Sequence, residues 1–209
     1  NGGNNYVVTT QTAAGSITPA PLSLAASGDT KTFDGIVASS AAPVASGLMG
    51  ADTVSGLQQT FDSPFVGTRT LSVSSGYTID DGNGGGNYVV SELTAQGTIL
   101  ADPTNFVWTD LAGGTWEDGG NWNQGVAPVS GSDVVLPATS GGVTFSSVTT
   151  VKTLTSASNF SVEGGSLTLG TASGDVSAFS GAGLTVNAGS LLLDGSTLVS
   201  DVVVNGGTL

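Results

Sequence analysis

Two clusters hold the side chains best placed to do chemistry. Asp80-Asp81-Gly82-Asn83 sets two carboxylates and a carboxamide in one Gly-rich turn. Hard cations such as Ca2+ take oxygen ligands of this kind, so Asp80, Asp81 and Asn83 are candidate Ca2+ ligands. The spacing is neither that of an EF-hand loop nor that of the Gly-Gly-x-Gly-x-Asp nonapeptide. The same residues suit a plain hairpin turn, where Asp, Asn and Gly supply left-handed positions and side-chain-to-backbone bonds. The second cluster is Trp108, Trp116 and Trp122, all three Trp of the chain within 15 positions. Three rings in a Gly-rich stretch could stack on sugars as a glycan platform. The competing reading is a hydrophobic cap over the first turn of whatever follows. The block offers no several polar groups aimed at one point, which favours the cap.

Other reactive candidates are few. Asp34 follows Phe33 and precedes Gly35, which reads as a turn beside a strand rather than a catalytic acid. Lys31 and Lys152 are the lysines that an intramolecular Lys–Asn isopeptide bond would need, and the sequence places no Asn and acid beside either. Lys31 is expected to pair with Asp34 or another acid. The chain has no Cys and no His, which excludes a disulfide, a thiol nucleophile, a zinc finger and a Ser-His-Asp triad. Glycoside hydrolysis needs two carboxylates at a set separation, but Asp133, Glu163, Asp175, Asp194 and Asp201 are scattered. A lyase for acidic polysaccharide needs cations, and Lys152 is the lone one in that stretch. The chain reads as non-enzymatic.

Charge excludes further classes. Lys plus Arg is 3 against 16 Asp plus Glu, for a formal charge of −13. Three cations cannot neutralise a phosphate backbone or an anionic membrane, so nucleic-acid partners are excluded. No run of about 18 apolar residues spans a membrane. Apolar residues make up 38 % of the chain and recur in short alternating runs, which predicts a folded chain rather than a disordered one. The opening Asn-Gly-Gly-Asn-Asn and the final Gly206-Gly207-Thr208-Leu209 read as the ends of a fragment of something longer. The acidic, Gly/Ser/Thr-rich, Lys-poor composition suits a secreted protein of the bacterial surface.

The elements that must position these clusters follow from repeats and periodicity. Residues 1–21 match residues 83–103 without gaps at 12 of 21 positions, including Asn5-Tyr6-Val7-Val8 on Asn87-Tyr88-Val89-Val90. This predicts that 1–21 are the final strands of a preceding repeat and that 22–103 are one full unit. Alternating or β-branched runs at Tyr6–Thr10, Ser16–Thr18, Gly35–Ala38, Thr53–Gln59, Thr68–Ser74, Tyr88–Leu93 and Gly97–Leu100 predict an antiparallel sandwich. Pro19, Pro21 and Pro103 would mark joints. Residues 104–132 are a Trp/Gly-rich connector or cap. Residues 133–209 repeat a Val-x-x-Gly-Ser/Thr-Leu pattern at Val162–Leu167, Val186–Leu191 and Val204–Leu209. Coils of that length with Gly-marked corners read as a parallel β-helix.

Lys31-Thr32-Phe33-Asp34-Gly35, the Asp81–Val90 stretch and Gly97-Thr98-Ile99 together resemble the YDG-type repeat of giant bacterial surface exoproteins, the filamentous-haemagglutinin-like adhesins. Phe33 stands where that family has Tyr. Gly114-Thr115-Trp116, Asn121-Trp122, Gly125, Pro128 and Asp133–Leu136 look like the lead-in to β-helix passengers of autotransporter-type proteins. The resemblance implies an all-β chain: an Ig-like sandwich repeat followed by a right-handed parallel β-helix. It implies a non-catalytic stalk segment of a surface-attached adhesin or extracellular filament, with neighbouring repeats as partners. Two alternatives stand beside it: a module binding a glycan, protein or host surface, and a homo-oligomeric filament subunit that exchanges strands. No cofactor is expected beyond the candidate Ca2+.

Overall fold

A computed structural model describes residue 2 and residues 5–180, 183–195, 197–199 and 201–209. Among the described residues the chain is all-β, arranged in several sheets, with one 3-10 turn at Gly119–Asn121 and no α-helix. Short β-branched runs broken by Gly leave helices nothing to propagate through.

The first part holds β1 (Ala20–Ala25), β2 (Thr30–Thr32), β3 (Val44–Ser46), β4 (Thr53–Ser55), β5 (Gln59–Phe61), β6 (Gly67–Val73), β7 (Thr78–Asp80), β8 (Tyr88–Leu93) and β9 (Ala95–Leu100). They form sheets of order β3-β1-β8 and β2-β9-β6-β5, with β4 and β7 as a pair. Period-two alternation puts Leu22 and Leu24 of β1 inward with Val73 and Tyr88. Phe61, Leu71 and Ile99 fill a second cluster. The result is sandwich-like, but it is not purely antiparallel as the strand spacing predicts. β1 runs parallel to β8, from Ala20 beside Tyr88 to Ala25 beside Leu93. β2 runs parallel to β9. Parallel pairs need a crossover of about a dozen residues or more; residues 26–87 separate β1 from β8, so alternation alone could not reveal the direction. Pro21 lies inside β1 rather than at a joint. It sits before the β3 pairing begins at Ser23, so its missing N–H costs no bond on that side. Residues 6–19, within the 1–21 stretch read from sequence as closing strands, carry no strand and are all exposed.

The second part holds β10 (Phe106–Val107), β11 (Gly114–Thr115), β12 (Ser132–Leu136), β13 (Val143–Phe145), β14 (Val148–Ser156), β15 (Phe160–Val162), β16 (Ser166–Leu169), β17 (Val176–Phe179), β18 (Leu184–Val186), β19 (Ser190–Leu193), β20 (Thr197–Val199) and β21 (Val202–Val204). One sheet has the order β10-β12-β14-β16-β19, with β17 on the far end of β14 and β20 on β17. The other has the order β11-β13-β15-β18-β21. All of these pairings are parallel. One continuous core, from Phe106 through Leu154 to Leu191, lies between them.

The repeated Val-x-x-Gly-Ser/Thr-Leu pattern has a geometric cause. Val162, Val186 and Val204 are register partners in one sheet. Leu167 and Leu191 are partners in the other. The intervening Gly takes a left-handed corner, φ +67° at Gly165 and +71° at Gly189. A Cβ on Gly189 would come 2.4 Å from the carbonyl oxygen of Gly165, so successive corners stack too closely for a side chain. A polar ladder climbs beside them: Asn187 Nδ2 donates to Glu163 Oε1 at 2.7 Å, and Asn205 Nδ2 donates to Asn187 Oδ1 at 2.7 Å.

Candidate functional site

The Asp81 turn closes on itself. Asp81 Oδ1 accepts the N–H groups of Asn83 (2.9 Å) and Gly85 (2.8 Å), and Oδ2 accepts that of Asn87 (3.0 Å). Asn83 Nδ2 donates to Asn87 Oδ1 at 3.0 Å. The carboxylate is therefore occupied by its own backbone, the side-chain-to-backbone capture that Asp-Gly-Asn turns favour. Asp80 is exposed at the end of β7. Among the described residues no group of three His, Cys, Asp or Glu side chains could hold a metal ion.

Those N–H bonds, that to Gly85 first, hold the Asp81 carboxyl below its ordinary value of 3.8. A carboxyl with a lowered folded pKa stabilises fully above the unfolded value and loses that contribution as pH falls through the folded one. Asp29, Asp34 and Asp175 are lowered in the same direction, chiefly by the Ser39 hydroxyl, by Lys31 and by the Thr171 N–H respectively. Stability is thus expected to fall on acidification below about pH 4. Asp81→Asn should make that acid limb shallower. Melting temperatures of the two proteins that fall in parallel from pH 5 to pH 2 would refute this.

The Trp rings do not form a platform. Trp108, Trp116 and Trp122 are at most 2 % exposed and offer no face to a sugar. Trp122 meets Trp108 edge-on at 5.1 Å and Trp116 at 4.8 Å. Trp116 in turn meets Phe145 at 5.7 Å and Phe160 at 5.8 Å, carrying the aromatic contact into the parallel-sheet core. Each polar handle finds a backbone partner: Trp122 Nε1 donates to the Trp116 carbonyl at 2.8 Å, and Trp108 Nε1 to that of Asp110. Edge-to-face pairs of this kind belong to cores.

The remaining candidates are structural as well. Lys31 Nζ pairs with Asp34 Oδ1 at 2.7 Å and also donates to the carbonyls of Ile36 and Ala38. Asp34 is thereby tied to a turn. Lys152 meets Asp133 at 3.2 Å in an exposed pair of small worth.

One group that carries no sequence signal joins the two parts. Gln124 is fully buried. Its Nε2 donates to the carbonyls of Asp102 (2.8 Å) and Asn105 (2.9 Å), and its Oε1 accepts the Asp102 N–H at 2.9 Å. Its own carbonyl accepts the Val66 N–H at 3.1 Å from the sandwich-like part. Beside it the Phe65 ring packs on Gly125, where a Cβ would come within 2.9 Å of Cγ. Arg69 steadies that loop by donating to the carbonyls of Phe65 and Val66, both at 2.8 Å. Gln59 does a similar task inside the first part, bridging Ser27 and Ser39. A lone Gln in a polar loop has no periodicity to betray it. Gln124→Leu should cost roughly 1–3 kcal/mol, because the part-buried Asp102 N–H loses its partner and the Asp102 and Asn105 carbonyls each lose one of two donors. An unchanged denaturation midpoint would refute this.

Residues 18–95 match the YDG domain family. No curated protein matches the chain. No solved structure matches it. The match corrects the wider resemblance. The similarity is confined to residues 18–95 and does not make that segment a repeat of a bacterial surface adhesin joined to a β-helix passenger. The motifs behind the wider resemblance include the Lys31–Asp34 turn, a self-capped Gly/Asn turn and a buried Trp cluster. All three report local packing, which unrelated chains can share.

Proposed function

We propose that this chain is a non-catalytic structural segment, a stiff spacer in a secreted or surface-attached protein. The carrying observation is the junction at Gln124. The sandwich-like part meets the second part at the end where its sheets begin, next to β10, through the Val66 N–H bond to the Gln124 carbonyl and the Phe65 contact with Gly125. Joined end to end in this way, the two parts would transmit tension along one axis. We further read the two parallel sheets as walls of a single right-handed β-helix, since strands alternate between them along the chain and parallel crossovers are right-handed with few exceptions. Each coil would add about 4.8 Å to the length. The acidic surface would keep such a rod soluble. The carboxyls of Asp34, Asp81 and Asp175 support this reading, because the first is engaged in an ion pair and the other two by N–H groups of their own turns.

The test is backbone 15N relaxation on the whole chain. Residues of β6 and β16 should report one common, strongly anisotropic tumbling. Two separate correlation times would overturn the spacer reading.

A further inference from the structure

We infer that residues 5–17 are the closing strand pair of a second unit of this same fold, and that they dock into a YDG-type sheet lacking its own last two strands. In residues 87–99 that pair is in place as β8 and β9. Tyr88 is 7 % exposed, and its hydroxyl donates to Asp52 Oδ2 at 2.6 Å and accepts the Met49 N–H at 2.8 Å. Gly97 is pressed so closely that a Cβ would lie 2.7 Å from the Asp29 carbonyl oxygen and 2.8 Å from the Phe61 ring. Ile99 is 1 % exposed.

Residues 5–17 carry the same three anchors in the same spacing, Tyr6, Gly15 and Ile17. Here they touch nothing comparable. Tyr6 is 81 % exposed, Ile17 is 101 % exposed, and a Cβ on Gly15 would meet no atom within 4 Å. Where the two segments differ, burial explains the tolerance. Four of the five differences fall opposite Ser91, Glu92, Leu93 and Gln96, all exposed, and the fifth is Ser16 for half-buried Thr98. All three buried positions are identical. A segment freed from packing would have no reason to keep a small residue opposite Gly97 or an Ile opposite Ile99. The partner is therefore defined by shape and hydrogen bonding. It is a sheet presenting the equivalents of β1 and β6, an Asp for the tyrosine hydroxyl, and a slot that only Gly enters.

Two experiments test this, and neither depends on the spacer reading. In the first, Ser91→Thr, Glu92→Thr, Leu93→Gln, Gln96→Ala and Thr98→Ser are combined in the full chain, which makes 87–99 identical to 5–17. The melting temperature should stay within about 5 °C of the parent. Loss of the cooperative transition would show that 5–17 cannot close such a sheet and would overturn the inference. In the second, residues 22–82 are placed directly before Asn1, restoring the spacing seen at 82–83. Proteolytic cleavage within 5–17 should slow at least tenfold. Gly15→Val should restore rapid cleavage in the extended chain and change nothing in the parent. Equal cleavage of 5–17 with and without the added residues, or indifference of the extended chain to Gly15→Val, would overturn it.

Discussion

Gly165→Ala is expected to prevent the parallel-sheet part from folding. The new Cβ would lie 1.7 Å from the Ser147 carbonyl oxygen, 2.5 Å from its carbon and 2.7 Å from the Ser146 oxygen. These are backbone atoms of the neighbouring strand connection, so no side chain can swing aside. The left-handed φ of +67° adds about 1–2 kcal/mol of its own. Together they place the cost above the roughly 4–5 kcal/mol that marks an exceptional substitution. Two neighbours calibrate the effect. At Gly131, φ is +80° with nothing within 4 Å, so Gly131→Ala should cost only the conformational term, about 1–2 kcal/mol. At Gly164 the nearest atom to a new Cβ is 3.8 Å away and φ lies outside the left-handed region, so Gly164→Ala should cost less than about 1 kcal/mol. Chemical denaturation of the three variants checks the order. A Gly165→Ala protein as stable as Gly164→Ala would mean that the corners do not stack as described.

The second large effect is expected from Trp122→Ala. Removing this ring abolishes edge contacts to Trp108, Trp116 and Phe106 and strands the Trp116 carbonyl that its indole N–H serves. Aromatic-to-Ala changes in cores cost about 3–5 kcal/mol. For a chain of this size that corresponds to a fall in melting temperature of roughly 6–20 °C. Trp122→Phe should recover part of it, since an apolar ring is kept while the N–H is lost. Thermal unfolding followed by near-ultraviolet circular dichroism reads both the stability and the asymmetric packing of the rings. A Trp122→Ala protein that melts within about 2 °C of the parent would place the ring outside the core.

Some of this was legible in the residues and some was not. The all-β class was, because β-branched runs alternate with Gly turns almost throughout. The stacking of the later strands left its mark too. Val162, Val186 and Val204 repeat with a fixed following Gly, since each corner faces the carbonyl of the one before. Strand direction in the first part was not legible. Leu22 and Leu24 point inward whichever way β8 runs, so the β1–β8 pairing leaves no trace in alternation. Pro21 suggested a boundary because Pro is common at joints, yet a strand whose second neighbour starts two residues later tolerates it. The Trp cluster announced its size but not its surroundings. The lack of converging polar groups favoured a cap over a platform, and Phe145 and Phe160 meeting Trp116 show which core the rings join. Asp81 looked like a metal ligand because a turn and a cation site draw on the same oxygens. The backbone N–H groups that occupy it lie in its own loop. Gln124 could not have been found, because its role rests on three backbone groups brought together by tertiary contact.

The central proposal is a stiff rod made of two all-β parts joined end to end. Small-angle X-ray scattering of residues 18–209 tests it most directly. A compact chain of that length would have a radius of gyration near about 16 Å. The expected result is a distinctly larger radius with a skewed, rod-like distance distribution that does not change with concentration. A symmetric distribution with a radius near about 16 Å would contradict the rod and with it the spacer function.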